Sequence, residues 1–191
     1  MIYINEHAEE LELSSALEQV SEQRREQALR FRHETGQRLC LAVYLLLKQG
    51  LYEEYGISEN PLFGYNPDGK PFLIGHPDIH FNFSHSGHVA VCAISDRPVG
   101  VDVETLRRVT PELIAYTMDT EEQNRINAAP DPAKEFLGIW TKKEAVLKLS
   151  GEGIHNNMKS VLKDACNCDI ETIFSDRFIC SIAQWKNLPD R

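Results

Sequence analysis

The chain of 191 residues has no long hydrophobic run, no excess of positive charge and few cysteines. Its longest apolar stretch, Leu39 to Leu47, is too short to cross a bilayer as a helix. No basic segment followed by a long apolar one stands at Met1. A cytoplasmic location with no membrane association is therefore expected. Twenty Lys and Arg against 29 Asp and Glu leave a net charge of −9. That balance excludes a nucleic-acid binder held by overall attraction to phosphate, so a polyphosphate ligand must meet a local basic cluster. The five cysteines, Cys40, Cys92, Cys166, Cys168 and Cys180, are odd in number and scattered, as expected of reduced core thiols rather than a disulfide frame. Cys166 and Cys168 have no second Cys/His pair at suitable spacing to complete a metal site. With 42% hydrophobic and 26% charged residues, the composition suits one large domain or two small packed lobes.

The chain centres on Ile79 to Glu104, IHFNFSHSGHVAVCAISDRPVGVDVE. Phe81, Phe83 and the run His88 to Ile94 read as strands, with a turn at Ser-Asp-Arg-Pro. A further strand over Val99 to Glu104 puts Val101 and Val103 on one face and Asp102 and Glu104 on the other, because side chains alternate with period two. Two such carboxylates repel each other, and a hard cation would relieve that repulsion; a solvated edge strand is the alternative.

Upstream, Met1 to Ile4 reads as a strand and Leu11 to Val20 as a helix, with Ser21 capping the next. Arg24 to Gly50 is strongly helical, with a break expected near Gly36 and a stop at Gly50. Arg24, Arg25, Arg30, Arg32, His33 and Arg38 concentrate positive charge there, either as a solvated helix face or as an anion-binding flank. Asn66-Pro67-Asp68-Gly69 marks a turn, and Lys70 to Ile74 a strand. Downstream, Thr110 and Pro111 start a helix, a second short helix follows Thr120, and a long one runs from Ala133 to Ser150. Trp140, Glu144 and Lys148 recur every fourth residue along one stripe, expected to face the junction of two lobes. Gly151-Glu152-Gly153 reads as a flexible exit, Ile154 to Trp185 as short strands, and Pro189 to Arg191 as a loose end. Arg177 to Ala183 repeats the pattern of His88 to Ile94, which hints at an internal duplication.

Adjacent Ser84 and His85 point to opposite faces of an extended chain, so they are poorly placed as a nucleophile-base pair and better suited to hydrogen-bonding phosphate. The third cluster is Trp140-Thr141-Lys142-Lys143-Glu144-Ala145 through Lys148. Alone, its Glu144–Lys148 spacing is equally that of an ordinary helical ion pair.

Taken together, Gly69-Lys70-Pro71, Phe81-Asn82-Phe83-Ser84-His85-Ser86, Gly100-Val101-Asp102-Val103-Glu104 and Trp140-Thr141-Lys142-Lys143-Glu144-Ala145 to Lys148 resemble the 4′-phosphopantetheinyl transferases of the large, pseudo-dimeric, surfactin synthetase-activating type. The resemblance spans roughly Arg24 to Gly153; the C-terminal part is short for the type, and arginines replace its early lysines. It implies an α+β fold of two similar lobes related by a pseudo-twofold axis, each with a long helix on a small antiparallel sheet. The lobes would be residues 1–104 and 105–191, with coenzyme A in the cleft of a monomer. It implies transfer of the phosphopantetheine arm to a serine of an apo acyl or peptidyl carrier protein, in fatty-acid, polyketide or nonribosomal peptide synthesis, with release of 3′,5′-ADP. Asp102, Glu104 and Glu144 would hold Mg²⁺ or Mn²⁺. Arg38, Lys70, Ser84, His85 and Lys148 would contact the coenzyme. Glu144 is the first candidate proton acceptor and Glu121 the second, with Lys148 assisting electrostatically. Two other classes share these features: a non-catalytic coenzyme A or nucleotide-binding module, and a metal-dependent phosphohydrolase.

Overall fold

The computed structural model describes residues 1–151 and 158–186. The exit expected at Glu152-Gly153 and the end expected at Pro189 to Arg191 lie outside the described residues. No helix among the described residues is long and apolar enough to cross a membrane.

Helices and small antiparallel sheets give an α+β fold, with one three-stranded sheet formed by strands of residues 2–95 and another by strands of residues 99–185. In the first unit β1 (Ile2–Asn5) precedes three helices, α1 (Leu13–Glu18), α2 (Glu22–Leu29) and α3 (Glu34–Tyr55). A short hairpin, β2 (Phe63–Tyr65) and β3 (Pro71–Leu73), is followed by a second, β4 (His80–Ser86) and β5 (Val89–Ser95). β1 pairs antiparallel with β5, giving the order β1-β5-β4. In the second unit β6 (Val99–Thr105) precedes α4 (Pro111–Thr117), α5 (Thr120–Ala128), α6 (Pro132–Ser150) and α7 (Val161–Asp164). The hairpin β7 (Cys168–Phe174) and β8 (Phe178–Trp185) then closes the order β6-β8-β7. In each three-stranded sheet the first strand pairs with the last, and the β2–β3 hairpin has no counterpart in the second unit among the described residues. Pairing of β6 with β8 places residues 99–105 in the second sheet.

Period two explains why β5 and β8 are buried on both faces. Ala90, Cys92 and Ile94 pack toward α3, while Val89, Val91 and Ala93 pack against Val99, Val101, Val103, Phe178 and Cys180 in a core between the sheets. All five cysteines are free, and all but Cys166 are buried.

Two expected helix limits move. The break falls at Arg30 to His33, ahead of Gly36, whose bare Cα lies against the Phe31 ring. The helix also runs through Gly50 to a left-handed Gly56 (φ 68°). Gly50 is not a stop; it is where Ile94 and Tyr3 press on α3, leaving no room for a side chain. Elsewhere Ser21, Thr110 and Asp119 cap helices through their side chains, and Gly151 (φ 79°) ends α6.

The two sheets meet at β4 and β6, through side chains. Asn82 Oδ1, Ser84 Oγ and Ser86 Oγ accept the N–H groups of Val101 (2.8 Å), Val103 (3.2 Å) and Thr105 (3.2 Å). The partners stay 19 residues apart, so the two edge strands run in the same direction with polar side chains in place of a backbone ladder. This satisfies backbone donors of β6, an edge strand that would otherwise present them unpaired.

Candidate active site

The seam between β4 and β6 is roofed by α6. Gly100 allows this: a Cβ there would run into the backbone of Ala145 and Leu149, which cannot yield. With strand and helix so close, Asp102 and Glu104 come up beneath Glu144 and Lys148. Lys148 Nζ donates to Asp102 Oδ1 (2.7 Å) and to Ser84 Oγ (2.9 Å). Ser84 donates in turn to Asp102 Oδ1 (2.9 Å), and Ser86 to Glu104 Oε2 (2.9 Å).

The second oxygens are the informative ones. Asp102 Oδ2 and Glu144 Oε1 are buried and have no hydrogen-bond partner. Burial pushes the Asp102 carboxyl above its usual range, against the pull of Lys148 and Ser84. Burial, and then the charge of Asp102, push Glu144 up as well. Unpartnered carboxylate oxygens of this kind fit a hard divalent cation. The three carboxylates do not close into a set with all ligand atoms within 4.8 Å of one another; among the described residues that occurs at exposed His7, Glu9 and Glu10.

Lys148 stands between two cavities. One, of about 270 Å³, lies between the β2–β3 hairpin and α6 and is lined by Gly69, Lys70, Pro71, Glu144, Leu147 and Lys148. The other, of about 320 Å³, is lined by Arg24, Phe31, Val43, Phe83, His85 and Lys148. Lys148 lines both cavities, Glu144 lines the first, and the second is an aromatic recess with Arg24 in its wall.

A model of the 4′-phosphopantetheinyl transferase superfamily matches residues 98–187. A 4′-phosphopantetheinyl transferase of Bacillus subtilis is 32% identical over 158 residues, covering 80% of this chain and 70% of that protein. The chain belongs to this family. The 4′-phosphopantetheinyl transferase psf-1 of Bacillus pumilus is 33% identical over 144 residues, 74% of this chain and 62% of that one. The gsp transferase of Aneurinibacillus migulanus is 36% identical over 114 residues, 58% and 47% of the two chains.

In this transferase Asp102, Glu104, Glu144, Lys148 and Ser84 come together, and His85 sits on the rim of the recess. The His85 imidazole is exposed, yet the protein around it and the charges of Lys148 and Arg24 hold its pKa below the usual value. Lys70 is near but occupied: its Nζ donates to the carbonyls of Val99 (3.2 Å), Lys148 (2.6 Å) and Leu149 (3.1 Å), stapling the hairpin to the end of α6. Its burial lowers its pKa.

Arg38 lies elsewhere. It donates to Leu11 O (3.0 Å) and pairs with Glu34 (2.9 Å), outside both cavities. The arginine at the recess is Arg24, buried and set over the rings of Tyr44 (5.6 Å) and Phe83 (5.5 Å), with Nε and Nη2 on Cys40 O. Its signal in the sequence was position: Arg24 is the third residue after the Ser21 cap, on the inner side of α2.

Glu121 is exposed on α5 and lines neither cavity. Its neighbour Glu122 instead closes the capping box with Asp119 and accepts from the fully buried Lys143 (2.6 Å). Trp140 also departs from its stripe: it stacks on Phe136 at 6.0 Å, in the cluster with Met118 and Ile126. At 3.6 residues per turn a four-residue step overshoots by about 40°, so Trp140 and Lys148 differ by about 80°.

Proposed function

We propose that the chain transfers the 4′-phosphopantetheine arm of coenzyme A to a serine hydroxyl of an apo acyl or peptidyl carrier protein, releasing 3′,5′-ADP, with Mg²⁺ or Mn²⁺ required. The observation that carries this reading, beside family membership, is the pair of buried, unpartnered oxygens of Asp102 and Glu144 next to Lys148, which lines both cavities. Asp102, Glu104 and Glu144 would hold the ion. Bound there, a divalent ion supplies positive charge against a diphosphate.

The chain's own groups supply the rest. Lys148, facing both cavities, sets a positive charge where diphosphate oxygens pass between them. Phe31, Phe83, His85 and Arg24 form a flat, cationic recess suited to a phosphorylated adenosine. Glu144, its pKa raised, is suited to take the proton of the incoming serine. Lys70 holds the hairpin wall of the first cavity on α6.

The reading includes two lobes related by a pseudo-twofold axis, each a strand, helices and a hairpin, divided at the turn before Val99. The common strand order of the two sheets supports it. Incubation with coenzyme A, Mg²⁺ and an apo carrier tests the reaction. A carrier mass increase by one phosphopantetheine arm, with 3′,5′-ADP, is expected. The nucleotide without carrier modification would mean a phosphohydrolase, and neither product a binding module.

A further inference from the structure

We infer that Ser84 and Ser86 are positioning residues for the acidic pair: each holds one oxygen of one carboxylate and leaves the other oxygen for a divalent cation. The inference rests on the metal-dependent reading above. Period two puts both serines on the face of β4 that meets β6. There they repeat one arrangement two residues apart. Ser84 accepts the N–H of Val103 and donates to Asp102 Oδ1; Ser86 accepts the N–H of Thr105 and donates to Glu104 Oε2. In each case the serine binds a carboxylate and the N–H that follows it in β6.

A hydroxyl has one hydrogen to give and two lone pairs to offer. At Ser84 the lone pairs are taken by Val103 N–H and Lys148 Nζ, so its one hydrogen is directed at Asp102. Its hydrogen and both lone pairs are thus taken up within the protein. Asp102 is held at Oδ1 by Ser84 and Lys148, while its buried Oδ2 has no partner. Glu104 Oε2 is held by Ser86, with Arg107 3.5 Å away. Carboxylates fixed by one oxygen lose less freedom when the other binds an ion, and removing such outer partners typically weakens metal binding about 10–100-fold.

Asn82 is the internal control. It makes the same seam bond, to Val101 N–H, with no hydrogen bond to a carboxylate among the described residues. The test is Mn²⁺ affinity of the full chain without coenzyme A, measured by electron paramagnetic resonance, with the thermal midpoint recorded for each variant. Ser84→Ala and Ser86→Ala should weaken Mn²⁺ binding about tenfold or more, and Ser86→Thr, which keeps the hydroxyl, should restore it. Asn82→Ala should lower the midpoint and leave Mn²⁺ affinity unchanged. If Ser84→Ala does not fold, the Ser86 pair of variants carries the test. Wild-type affinity in the alanine variants, with Asp102→Asn binding no Mn²⁺, overturns the positioning role and keeps the metal reading. Equal losses in Asn82→Ala also overturn it, since the seam alone would then account for them. Equal Mn²⁺ binding by wild type and Asp102→Asn removes the metal reading, and this inference with it.

Discussion

Gly100 of β6 lies directly beneath Ala145 of α6, with no space between them for a methyl group. This contact sets the height of α6 above the seam, and so the distance from Asp102 to Lys148. Gly100→Ala must push strand and helix apart. It should cost about 1–3 kcal/mol in chemical denaturation, as overpacking of a core does. Transfer activity should fall further than the stability loss explains, and unchanged turnover would show that the spacing does not matter.

Lys143 is fully buried and donates to Thr117 O (3.0 Å), Glu122 Oε2 (2.6 Å) and Met158 O (2.8 Å). It ties α4, α5 and the segment at Met158 to α6, one residue before Glu144. Lys143→Met leaves Glu122 and two carbonyls without their cation. Breaking a buried pair from one side typically costs about 3–5 kcal/mol. Denaturant titration should show a loss of that size, and a loss below about 1 kcal/mol would mean that water replaces the ammonium.

Glu144 carries a folded-state pKa above its ordinary value because it is buried near Asp102. For an acid shifted upward, the stabilising contribution is complete below the unfolded pKa, about 4.3, and is lost as pH rises through the raised folded value. Without metal, Glu144→Gln should therefore melt above wild type at neutral pH, and the advantage should vanish below about pH 4. The same variant should lose transfer activity. A variant less stable than wild type at neutral pH would contradict the unpaired charge.

Arg38 is spent on Leu11 and Glu34, whereas Lys148 faces both cavities. Arg38→Ala should leave the KM for coenzyme A within about twofold of wild type, while Lys148→Ala should lower kcat/KM by about a hundredfold or more. Steady-state kinetics with an apo carrier read both, and a large KM effect at Arg38 would restore it to the coenzyme site.

Chelator should halt the wild-type reaction and Mn²⁺ should restore it, as measured by the mass of the carrier. Turnover indifferent to chelator would leave Asp102, Glu104 and Glu144 as an acidic cluster with no ion.

Local interactions wrote much of this protein into its sequence. Alternation set the faces of β6, so Val101 and Val103 were legible as core and Asp102 and Glu104 as the opposite face. Caps at Ser21 and Thr110, and glycine at 151, act within one turn of chain, and they fall where the pattern put them. The motif clusters likewise named Asp102, Glu144 and Lys148 before their meeting was visible. What the tertiary structure decided was how the charges are spent. Arg38 and Lys70 were expected at the coenzyme, yet each found carbonyl acceptors on segments distant in sequence. Glu121 and Glu122 are neighbours of the same type, and only the path of Lys143 through the core selects Glu122. Gly50 looked like a stop because a helix-ending glycine and one that makes room for Ile94 are the same residue in sequence. Short-range hydrogen bonding and periodicity are properties of a local stretch; the partner of a long, flexible side chain depends on which distant backbone the fold brings within its reach.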